Sequence, residues 1–444
     1  MLRVIDLRTT DSTDLTSRLP RAQVDVGAAL DQVSPLIADV QRRGAAALVE
    51  QVRRFDGIDN VQLRVPPAEL ERAAANLPAA VRRALMMAID HARIGHRAQL
   101  PTERSVEVVP GGRITQRWIP VRRVGLYAPG GLAVYPSSVV MNAVAAQVAG
   151  VGNIALASPA QADFGGLPHP TVLGACHLLG IEEVYAVGGA GAIAMFAYGA
   201  KNSDGSELCA PVDVVTGPGN VYVAAAKRAV ASVCGIDAEA GTTEIAVIAD
   251  QHANPDYVAA DLLSQAEHDP AAASVLITDS DDFAAAVDRA LSAQVARTTH
   301  RERVTTALTG PQSGTVLVGD MHQAIAVANA YAAEHLEIHT EDASEVAAQI
   351  YNAGAIFLGP YTPVPLGDYV GGSNHVLPTG GTATHAAGLN VMTYLKGVQQ
   401  VEYDADALAA VVTELADLAR AEDLPAHAEA ALLRTGGDAR DNSN

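Results

Sequence analysis

The sequence has few cysteines and no long uninterrupted apolar segment. Its three cysteines are Cys176, Cys209 and Cys234, and none forms the C-x-x-C pair of a zinc or dithiol redox motif. We interpret them as reduced thiols of the core. The longest apolar run, residues 139–151, is interrupted by an asparagine and a glutamine and falls short of the roughly 20 residues that span a bilayer. Membrane insertion is therefore not expected.

Basic residues are also scarce. The 444 residues include 50 acidic and 30 basic side chains, which gives a formal charge of −20. This excess argues against binding to nucleic acids or anionic membrane surfaces, because both are negatively charged. The first twenty residues contain several aspartates and lack the apolar stretch of a signal peptide, so the cytoplasm is the expected compartment.

Alternating strand and helix patterns dominate the chain, whose 49% hydrophobic content suffices for a large core. Short β-branched or apolar runs are followed by Gly/Pro turns and alanine-rich helices, as is typical of parallel βαβ units. In a first block the predicted strands are 124–127, 153–157, 183–187, 213–216 and 244–249. In a second block they are 273–278, 314–318, 337–340 and 355–358, with helices at 255–267, 280–294, 320–331 and 343–352. This repetition predicts two α/β modules.

The flanking segments are predicted to be helical. Apolar residues recur at helical spacing across 28–56 and again across 68–97. After Gly388 the chain is predicted to turn helical once more, with a helix from Asp406, as a possible N-cap, to residue 421. Pro425 suits the first turn of another short helix, and the polar residues 435–444 are predicted to be disordered.

Gln265 and His268 are the first candidate metal ligands. They lie three residues apart, so helical geometry places both side chains on one face. A glutamine oxygen and an imidazole nitrogen are ligands that zinc accepts, and a pair without cysteine suits an open, working site better than a closed structural one. The same spacing is equally found in an ordinary surface helix turn.

Three glycine-rich turns each connect a predicted strand to a predicted helix. They are 127–131, 188–194 and 216–220, and the second satisfies a loose dinucleotide-binding fingerprint. Such turns favour a ligand crevice along the carboxyl ends of the strands, with tight strand-to-helix packing as the alternative.

Glu334 and His335 are a carboxylate beside an imidazole, a combination suited to general-base catalysis if both reach one cleft. Neighbours in a helix diverge by about 100°, so a helix end or turn would be needed. A solvated glutamate beside a packed histidine is the alternative. His339 is interpreted as a further core or surface histidine.

Two more histidines lie near acidic residues. The glycine-bearing segment 367–375 contains Asp368, an acceptable zinc ligand, and His375. Glu422 and His427 flank a helix break near the end of the chain, where local reasoning predicts only an exposed histidine.

Taken together and in this order, seven segments resemble those of histidinol dehydrogenases. They are 125–131 (GLYAPGG), 187–190 (VGGA), 216–220 (TGPGN), 262–268 (LLSQAEH), 334–336 (EHL), 367–368 (GD) and 373–379 (SNHVLPT). No single segment identifies the family, but their joint occurrence is highly specific.

The resemblance implies two incomplete Rossmann-like modules, one inserted in the other, with helical N- and C-terminal arms. The implied domains are an N-terminal dimerisation arm, 1–27; a first module with the substrate and zinc site, 28–127 plus 247–389; an inserted NAD-binding module, 128–246; and a C-terminal arm reaching the partner subunit, 390–434. Residues 435–444 would form a disordered tail.

The resemblance also implies one zinc ion per subunit of a homodimer. The implied ligands are Gln265, His268, Asp368 and, from the neighbouring subunit, His427. Thr243, His335, His375 and Glu422 join these ligands as implied contacts of the substrate, L-histidinol. Tyr127, Gly191 and Asn220 are the implied contacts of NAD.

The implied reaction oxidises L-histidinol to L-histidine through bound histidinal, with two hydride transfers to NAD, in histidine biosynthesis. His335 would accept the alcohol proton in the first step, and Glu334 would activate the water that attacks the aldehyde. The metal would position the imidazole and amine of the substrate, and proximity would supply part of the rate.

The sequence departs from the family pattern at two points. Gly191 stands where the family commonly has a glutamine in a Gly-Gly-Ala-Gln turn, so that side-chain contact with the cofactor cannot form. Thr243 stands where the family usually has a serine, which keeps the hydroxyl, and we expect its substrate contact to survive.

Three other functions fit parts of the pattern. An oxidoreductase acting on a different amino alcohol or diol would share the fold. A zinc hydrolase would use Glu334 to activate water without any nicotinamide, and a noncatalytic metal-binding protein would be indifferent to changes at Glu334 and His335.

Overall fold

The computed structural model describes residues 1–10, 15–22, 26–130, 134–239 and 241–436. Contacts divide the chain into a first unit, 1–99 with 121–394, and a second unit, 100–120 with 395–444. Gly131, parts of the implied arm 1–27 and most of the tail 435–444 lie outside the described residues. The implied domain boundaries stay predictions.

The strands are numbered in chain order. They are β1 (Val4–Asp6), β2 (Arg104–Val109), β3 (Gly112–Pro120), β4 (Arg123–Tyr127), β5 (Asn153–Ser158), β6 (Glu183–Ala186), β7 (Ala200–Lys201), β8 (Glu207–Cys209), β9 (Val214–Thr216), β10 (Gly235–Ile236), β11 (Glu244–Ala249), β12 (Ala273–Thr278), β13 (Gly314–Leu317), β14 (His335–His339), β15 (Ala355–Leu358) and β16 (Leu395–Tyr403).

The helices are numbered in the same way. They are α1 (Leu15–Arg18), α2 (Val26–Arg43), α3 (Ala45–Asp56), α4 (Pro67–Ala75), α5 (Ala79–Ala98), α6 (Pro136–Ala149), α7 (Pro170–Leu178), α8 (Gly189–Tyr198), α9 (Val221–Val230), α10 (Pro255–Ala266), α11 (Asp281–Val295), α12 (Arg301–Thr309), α13 (Met321–Tyr331), α14 (Ala343–Ala347), α15 (Val364–Tyr369), α16 (Ala405–Ala409), α17 (Val412–Ala421) and α18 (Pro425–Leu432).

Two parallel sheets form the body of the first unit. A six-stranded sheet has the order β1-β13-β12-β11-β14-β15, and a five-stranded sheet has the order β10-β9-β4-β5-β6. In chain order, the strands of the five-stranded sheet all lie between β1 and β11 of the six-stranded sheet. The predicted α/β fold with parallel sheets is confirmed.

The four central strands of the six-stranded sheet are buried because helices cover both faces of the sheet there. Every residue of β11, β12, β13 and β14 is buried, although β14 carries three polar residues, His335, Glu337 and His339. Alternate residues of β11 pack into different clusters: Ile245 and Val247 join α10 and α11, whereas Ala246 and Ile248 join α13. Leu336 and Ile338 of β14 also face α13, so the intervening residues of β14 face the α10 side.

The two long helices predicted near the N-terminus are each divided. The predicted helix 28–56 is interrupted at Gly44, whose φ of 55° is accessible to glycine and whose added Cβ would meet the backbone of Lys201. The predicted helix 68–97 is interrupted between Ala75 and Ala79, where Pro78 is the N-cap of the second part. Periodicity continues across both breaks, so it could not reveal them.

The second unit contains a three-stranded antiparallel sheet of order β16-β3-β2 that the sequence did not predict. The prediction that the chain becomes helical directly after Gly388 was therefore wrong, because β16 precedes the helices. All but the first residue of β16 are exposed, so the strand has no apolar alternation to signal it.

The C-terminal helices differ from the prediction in detail. Asp404, rather than Asp406, caps α16, and the predicted single helix is divided into α16 and α17. The placement of Pro425 in the first turn of α18 is confirmed. The described residues include no helix long and apolar enough to cross a membrane.

The three cysteines are free and buried, as predicted. Burial raises the pKa of the Cys234 thiol to about 11 and also raises the pKa values of Cys176 and Cys209. Because the thiolate is the reactive form, these residues are packing groups rather than nucleophiles.

Candidate active site

Glu334 and His335 lie at the amino end of β14, beside the amino end of β11. The turn that ends α13 places Ala332 in the left-handed region, at φ 49°, and the chain then enters the strand directly. An extended backbone, rather than a helix, thus presents the two side chains. His335 Nδ1 lies 3.6 Å from Glu334 Oε2, so the adjacent residues do share one site.

The imidazole of His335 is arranged as a proton acceptor. Its Nδ1 lies 3.2 Å from the carbonyl oxygen of Glu244, so we assign the ring proton to Nδ1. Its Nε2 is buried and has no hydrogen-bond partner among the described residues. Burial lowers the pKa of His335, which keeps the ring neutral and leaves a lone pair on Nε2 near pH 7.

The carboxyl group of Glu334 is buried and hydrogen-bonded. Its Oε2 accepts from Thr243 Oγ1 at 2.6 Å and from the backbone N–H of Glu244 at 2.9 Å. Burial raises the pKa of Glu334 to about 8, although these two hydrogen bonds lower it in part. The group can therefore both hold and release a proton near neutral pH.

Gln265 lies in the last turn of α10, and His268 follows one turn later, with its N–H donating to the Gln265 carbonyl at 3.2 Å. Gln265 Nε2 donates to Thr243 Oγ1 at 2.5 Å, so the hydroxyl of Thr243 links the glutamine to Glu334. Gln265 Oε1 is buried without a partner among the described residues. An unsatisfied buried oxygen is costly, and a bound cation would satisfy it.

Asp368 completes this group within the first unit. It lies on α15, and its Oδ2 is 4.0 Å from His268 Nε2. Burial lowers the pKa of His268, and the negative charge of Asp368 opposes that effect. The neutral imidazole required of a metal ligand is thus favoured beside a carboxylate.

His375 is held at the edge of the same site. Its Nδ1 lies 3.1 Å from the carbonyl oxygen of Asp368, and its Nε2 lies 3.2 Å from Ser138 Oγ on α6. Burial lowers the pKa of His375, and the negative charge of Asp368 opposes this effect. These contacts connect the segment after α15 to the first helix that follows β4.

The glycine-rich turns meet at the carboxyl ends of the five-stranded sheet. The backbone N–H of Gly189, at the start of α8, donates to Tyr127 Oη at 3.1 Å. Gly217, at φ 126°, lies so close to the Tyr127 backbone that a Cβ would collide with it. Asn220 caps α9 through Oδ1, and Nδ2 of this exposed side chain is the atom that a cofactor could contact. These contacts bring Tyr127, Gly189 and Gly217 together, and the predicted ligand crevice and cofactor binding stay predictions.

Gly191 lies in the first turn of α8 beside Gln51 of α3. A Cβ at position 191 would stand 2.7 Å from Gln51 Oε1. Gln51 is buried and donates from Nε2 to the Leu36 carbonyl at 3.1 Å. A side chain at position 191 would therefore have to displace the amide of Gln51.

Glu422 and His427 belong to the second unit. Both are exposed and line one groove of about 520 Å³ between α17 and α18, with Leu418 and Leu424 among the other lining residues. Their contribution to a metal or substrate site stays a prediction.

Sequence reasoning missed three features of this site. The acid–base pair lies at the amino ends of its strands, whereas the strand-end rule directs attention to the carboxyl ends. The hydroxyl of Thr243 already serves Gln265 and Glu334, so its expected substrate contact would be a third interaction. Lys227 and Asp237, which hold the Gly217 turn, were not singled out, since a single lysine and aspartate carry no motif.

The α/β fold brings together a neutral histidine, a buried carboxyl group, and side-chain oxygen and nitrogen atoms of the kinds that zinc accepts. The sequence model of histidinol dehydrogenase matches residues 19–435. The chain therefore belongs to the histidinol dehydrogenase family, and it is an oxidoreductase.

Individual relatives support this assignment over nearly the full length. The chain is 59% identical to the histidinol dehydrogenase of Thermobifida fusca, over 97% of each chain. It is 55% identical to that of Mycobacterium tuberculosis, over 98% of each chain. The crystal structure of histidinol dehydrogenase from Elizabethkingia anophelis matches with a TM-score of 0.91 and 29% identity, covering 98% of each chain.

Proposed function

We propose that this protein oxidises L-histidinol to L-histidine with two molecules of NAD and one zinc ion per subunit. Family membership supports histidinol as the substrate. The observation that carries the proposal is a pair of buried atoms, His335 Nε2 and Gln265 Oε1, that have no hydrogen-bond partner in the described part of the chain. His335 Nε2 would accept a proton, and Gln265 Oε1 would bind the metal. A substrate held by the metal would then give both atoms a partner.

The side chains present fit a zinc ion. Gln265, His268 and Asp368 supply two oxygens and one nitrogen, which zinc accepts, and three ligands leave a position open for a further group. We propose that His427 of the neighbouring subunit is the fourth ligand. When bound, the ion would fix the imidazole and amine of histidinol and so orient its alcohol.

The protein's own groups divide the two oxidations between them. His335 takes the alcohol proton on Nε2 while hydride leaves the carbinol carbon for NAD. Glu334 removes a proton from the water that adds to the aldehyde, and the hydrate gives its hydride to a second NAD. Thr243 Oγ1 holds the Glu334 carboxyl group in place through its 2.6 Å hydrogen bond.

We place NAD at the carboxyl ends of the five-stranded sheet, against Tyr127, Gly191 and Asn220. The Tyr127 hydroxyl accepts from the Gly189 amide, so the phenol would have to share or yield this amide to a cofactor phosphate. Substrate contacts from Thr243, His375 and, across subunits, Glu422 complete the proposal. The cytoplasmic location expected from the sequence stays a prediction.

The test is NADH formation by the zinc-loaded protein with L-histidinol. We expect two NADH per histidinol consumed and L-histidine as the product. His335→Asn should remove the activity, because the amide cannot accept the alcohol proton. His322→Asn, an exposed histidine on α13, is the matched control and should leave the rate unchanged.

Other outcomes would assign a different function. NADH formed from another amino alcohol, with none from histidinol, would favour the related oxidoreductase. Zinc-dependent hydrolysis without NADH would favour the hydrolase. Titration of NAD into the metal-loaded protein, with and without histidinol, tests whether binding survives the glycine at position 191.

A further inference from the structure

Three titratable side chains are buried together beyond the proposed active site. Asp261 lies on α10, and Glu337 and His339 lie on β14. Glu337 is 0% exposed, and the other two are at most 7% exposed. One nitrogen or oxygen atom from each lies within 4.8 Å of those of the others, so the three side chains form one cluster.

The contacts within this group define its hydrogen bonding. His339 Nε2 lies 3.3 Å from Glu337 Oε2 and 3.6 Å from Asp261 Oδ2. Glu337 Oε1 accepts from the backbone N–H of Val364 at 2.8 Å. One carboxyl oxygen of Asp261 and one of Glu337 lie within 4.8 Å of each other, and the charge of Glu337 raises the pKa of Asp261. We therefore assign a proton to Asp261, which lets it donate to Glu337.

The position of this group relates it to the proposed active site. Asp261 lies one turn before Gln265 on the same face of α10, a rise of about 6 Å. Glu337 lies two residues after His335 on the same face of β14, a rise of about 6.7 Å. The Asp261–Glu337 contact therefore joins α10 to β14 at a level about 6 Å from that of Gln265 and His335.

We propose that Asp261, Glu337 and His339 form a buried hydrogen-bonded clamp that fixes the helix carrying Gln265 against the strand carrying His335. The three are positioning residues, since none belongs to the proposed site. Their role in catalysis rests on the proposed function, whereas the clamp itself does not.

A shared proton accounts for the geometry better than a metal ion would. A metal-bound histidine normally donates its second ring N–H to a partner. His339 Nδ1 is buried and has no partner among the described residues. A neutral ring that donates from Nε2 to Glu337 leaves an acceptor, and not a donor, on Nδ1, so no ring N–H is left unpaired.

The clamp has a definite dependence on pH. Burial raises the pKa of Asp261 to about 8, and the nearby charge of Glu337 raises it further, while His339 opposes the rise. Burial also raises the pKa of Glu337 to about 7 and lowers that of His339. Local opening exposes Asp261 to water and releases its proton, so opening becomes easier as the pH rises from about 4 and levels off above about 8.

Asp261→Asn isolates this effect. An asparagine keeps the shape and donates from Nδ2 to Glu337, as a protonated aspartate does, but it has no proton to release. We measure amide hydrogen exchange of α10 and β14 in both proteins without metal or substrate. Taking the ratio at each pH cancels the intrinsic pH dependence of exchange. The opening constant of the wild-type protein relative to Asp261→Asn should rise about tenfold per pH unit between pH 5 and 8.

Two further variants test the clamp by other means. Asp261→Leu removes the donor, and we expect at least tenfold faster exchange in α10 and a lower kcat with an unchanged KM for NAD. Asp256→Leu makes the same chemical change at an exposed position of the same helix, so exchange and kcat should stay unchanged. If Asp261→Leu does not fold, the pH series on Asp261→Asn alone decides.

The outcomes separate the clamp from the proposed function. A wild-type to Asp261→Asn ratio that is constant from pH 5 to 8 would overturn the clamp. So would a second equivalent of bound zinc that Asp261→Asn abolishes, because the group would then be a metal site. Absence of histidinol oxidation would refute the proposed function but would leave the exchange result standing.

Discussion

Burial of single polar side chains sets the chemistry of the candidate site. His335 is 4% exposed and Glu334 is 7% exposed, yet burial shifts their pKa values in opposite directions. Burial favours the neutral form of each side chain. The neutral histidine can accept a proton at once, whereas the glutamate must lose its proton before it can act as a base. Adjacent residues thus have different proton affinities from the same physical cause.

This difference predicts separate pH dependences for the two oxidations. The aldehyde step needs ionised Glu334, so its rate should increase about tenfold per pH unit up to a pH near 8. A cation bound nearby would move this limit to lower pH without changing its direction. The alcohol step depends on neutral His335, so its rate should not show this increase up to a pH near 8. Single-turnover rates with histidinol and with histidinal, measured across pH, check the difference.

Glu334→Gln should slow histidinal oxidation roughly 10²–10⁴-fold while it slows the alcohol step far less. Glu345→Gln, an exposed glutamate on α14, is the control and should change neither rate. Equal slowing of both steps by Glu334→Gln would reject the division of roles.

At the scale of elements, a buried ion pair holds the turn between β9 and α9. Lys227 Nζ donates to Asp237 Oδ1 at 2.6 Å and to the Gly217 carbonyl at 3.0 Å, and Asp237 Oδ2 accepts from the Gly217 N–H at 2.7 Å. The side chains of the pair are only 1% and 3% exposed. Both backbone groups of Gly217 are therefore fixed by charged partners.

Lys227→Met should destabilise the protein by about 3–5 kcal/mol, because it leaves the buried Asp237 carboxylate without its partner. It should also raise the KM for NAD, since the 216–220 turn is part of the proposed cofactor site. Urea unfolding and steady-state kinetics measure the two effects.

The neighbouring pair Arg228–Glu239 provides a matched control for this change. Arg228 is exposed and Glu239 is only half-buried, so Arg228→Met should cost only about 0–1 kcal/mol. Replacing Asp237 by leucine in the Lys227→Met protein should recover part of the stability. A loss no larger than that of Arg228→Met would contradict a structural role for the buried pair.

At the scale of the whole molecule, the proposed site draws on two subunits. His335 lies in the first unit and His427 in the second, and we propose that His427 serves the partner's metal. A heterodimer of His335→Asn and His427→Asn chains would then have one site with both histidines intact. We expect about half of the wild-type activity per isolated heterodimer.

Mixing experiments distinguish this arrangement from a site within one subunit. Heterodimers of His335→Asn with Glu334→Gln should form L-histidine no faster than the Glu334→Gln protein, because both first units are defective in either arrangement. If the His335→Asn and His427→Asn heterodimer also stays inactive, the tail does not cross between subunits.

Much of the architecture could be predicted from local sequence alone. The buried strands 244–249 and 273–278 have the predicted bounds, because buried parallel strands are continuous apolar runs between turn residues. The edge strand 355–358 also has the predicted bounds, although Phe357 is its only buried residue. The order of short motifs identified the family, which the comparisons confirm. These features are encoded within windows of about ten residues.

The tertiary structure decided what depends on residues far apart in the chain. The hydroxyl of Thr243 is hydrogen-bonded to both Gln265 and Glu334. Gln51 fills the space beside Gly191. No periodicity or spacing encodes such contacts, since they arise only when separate strands and helices pack. The sequence by itself determined the elements and the residue types of the site. The packing of α10 against β14 decided which atoms meet, which are buried, and therefore which protons can move.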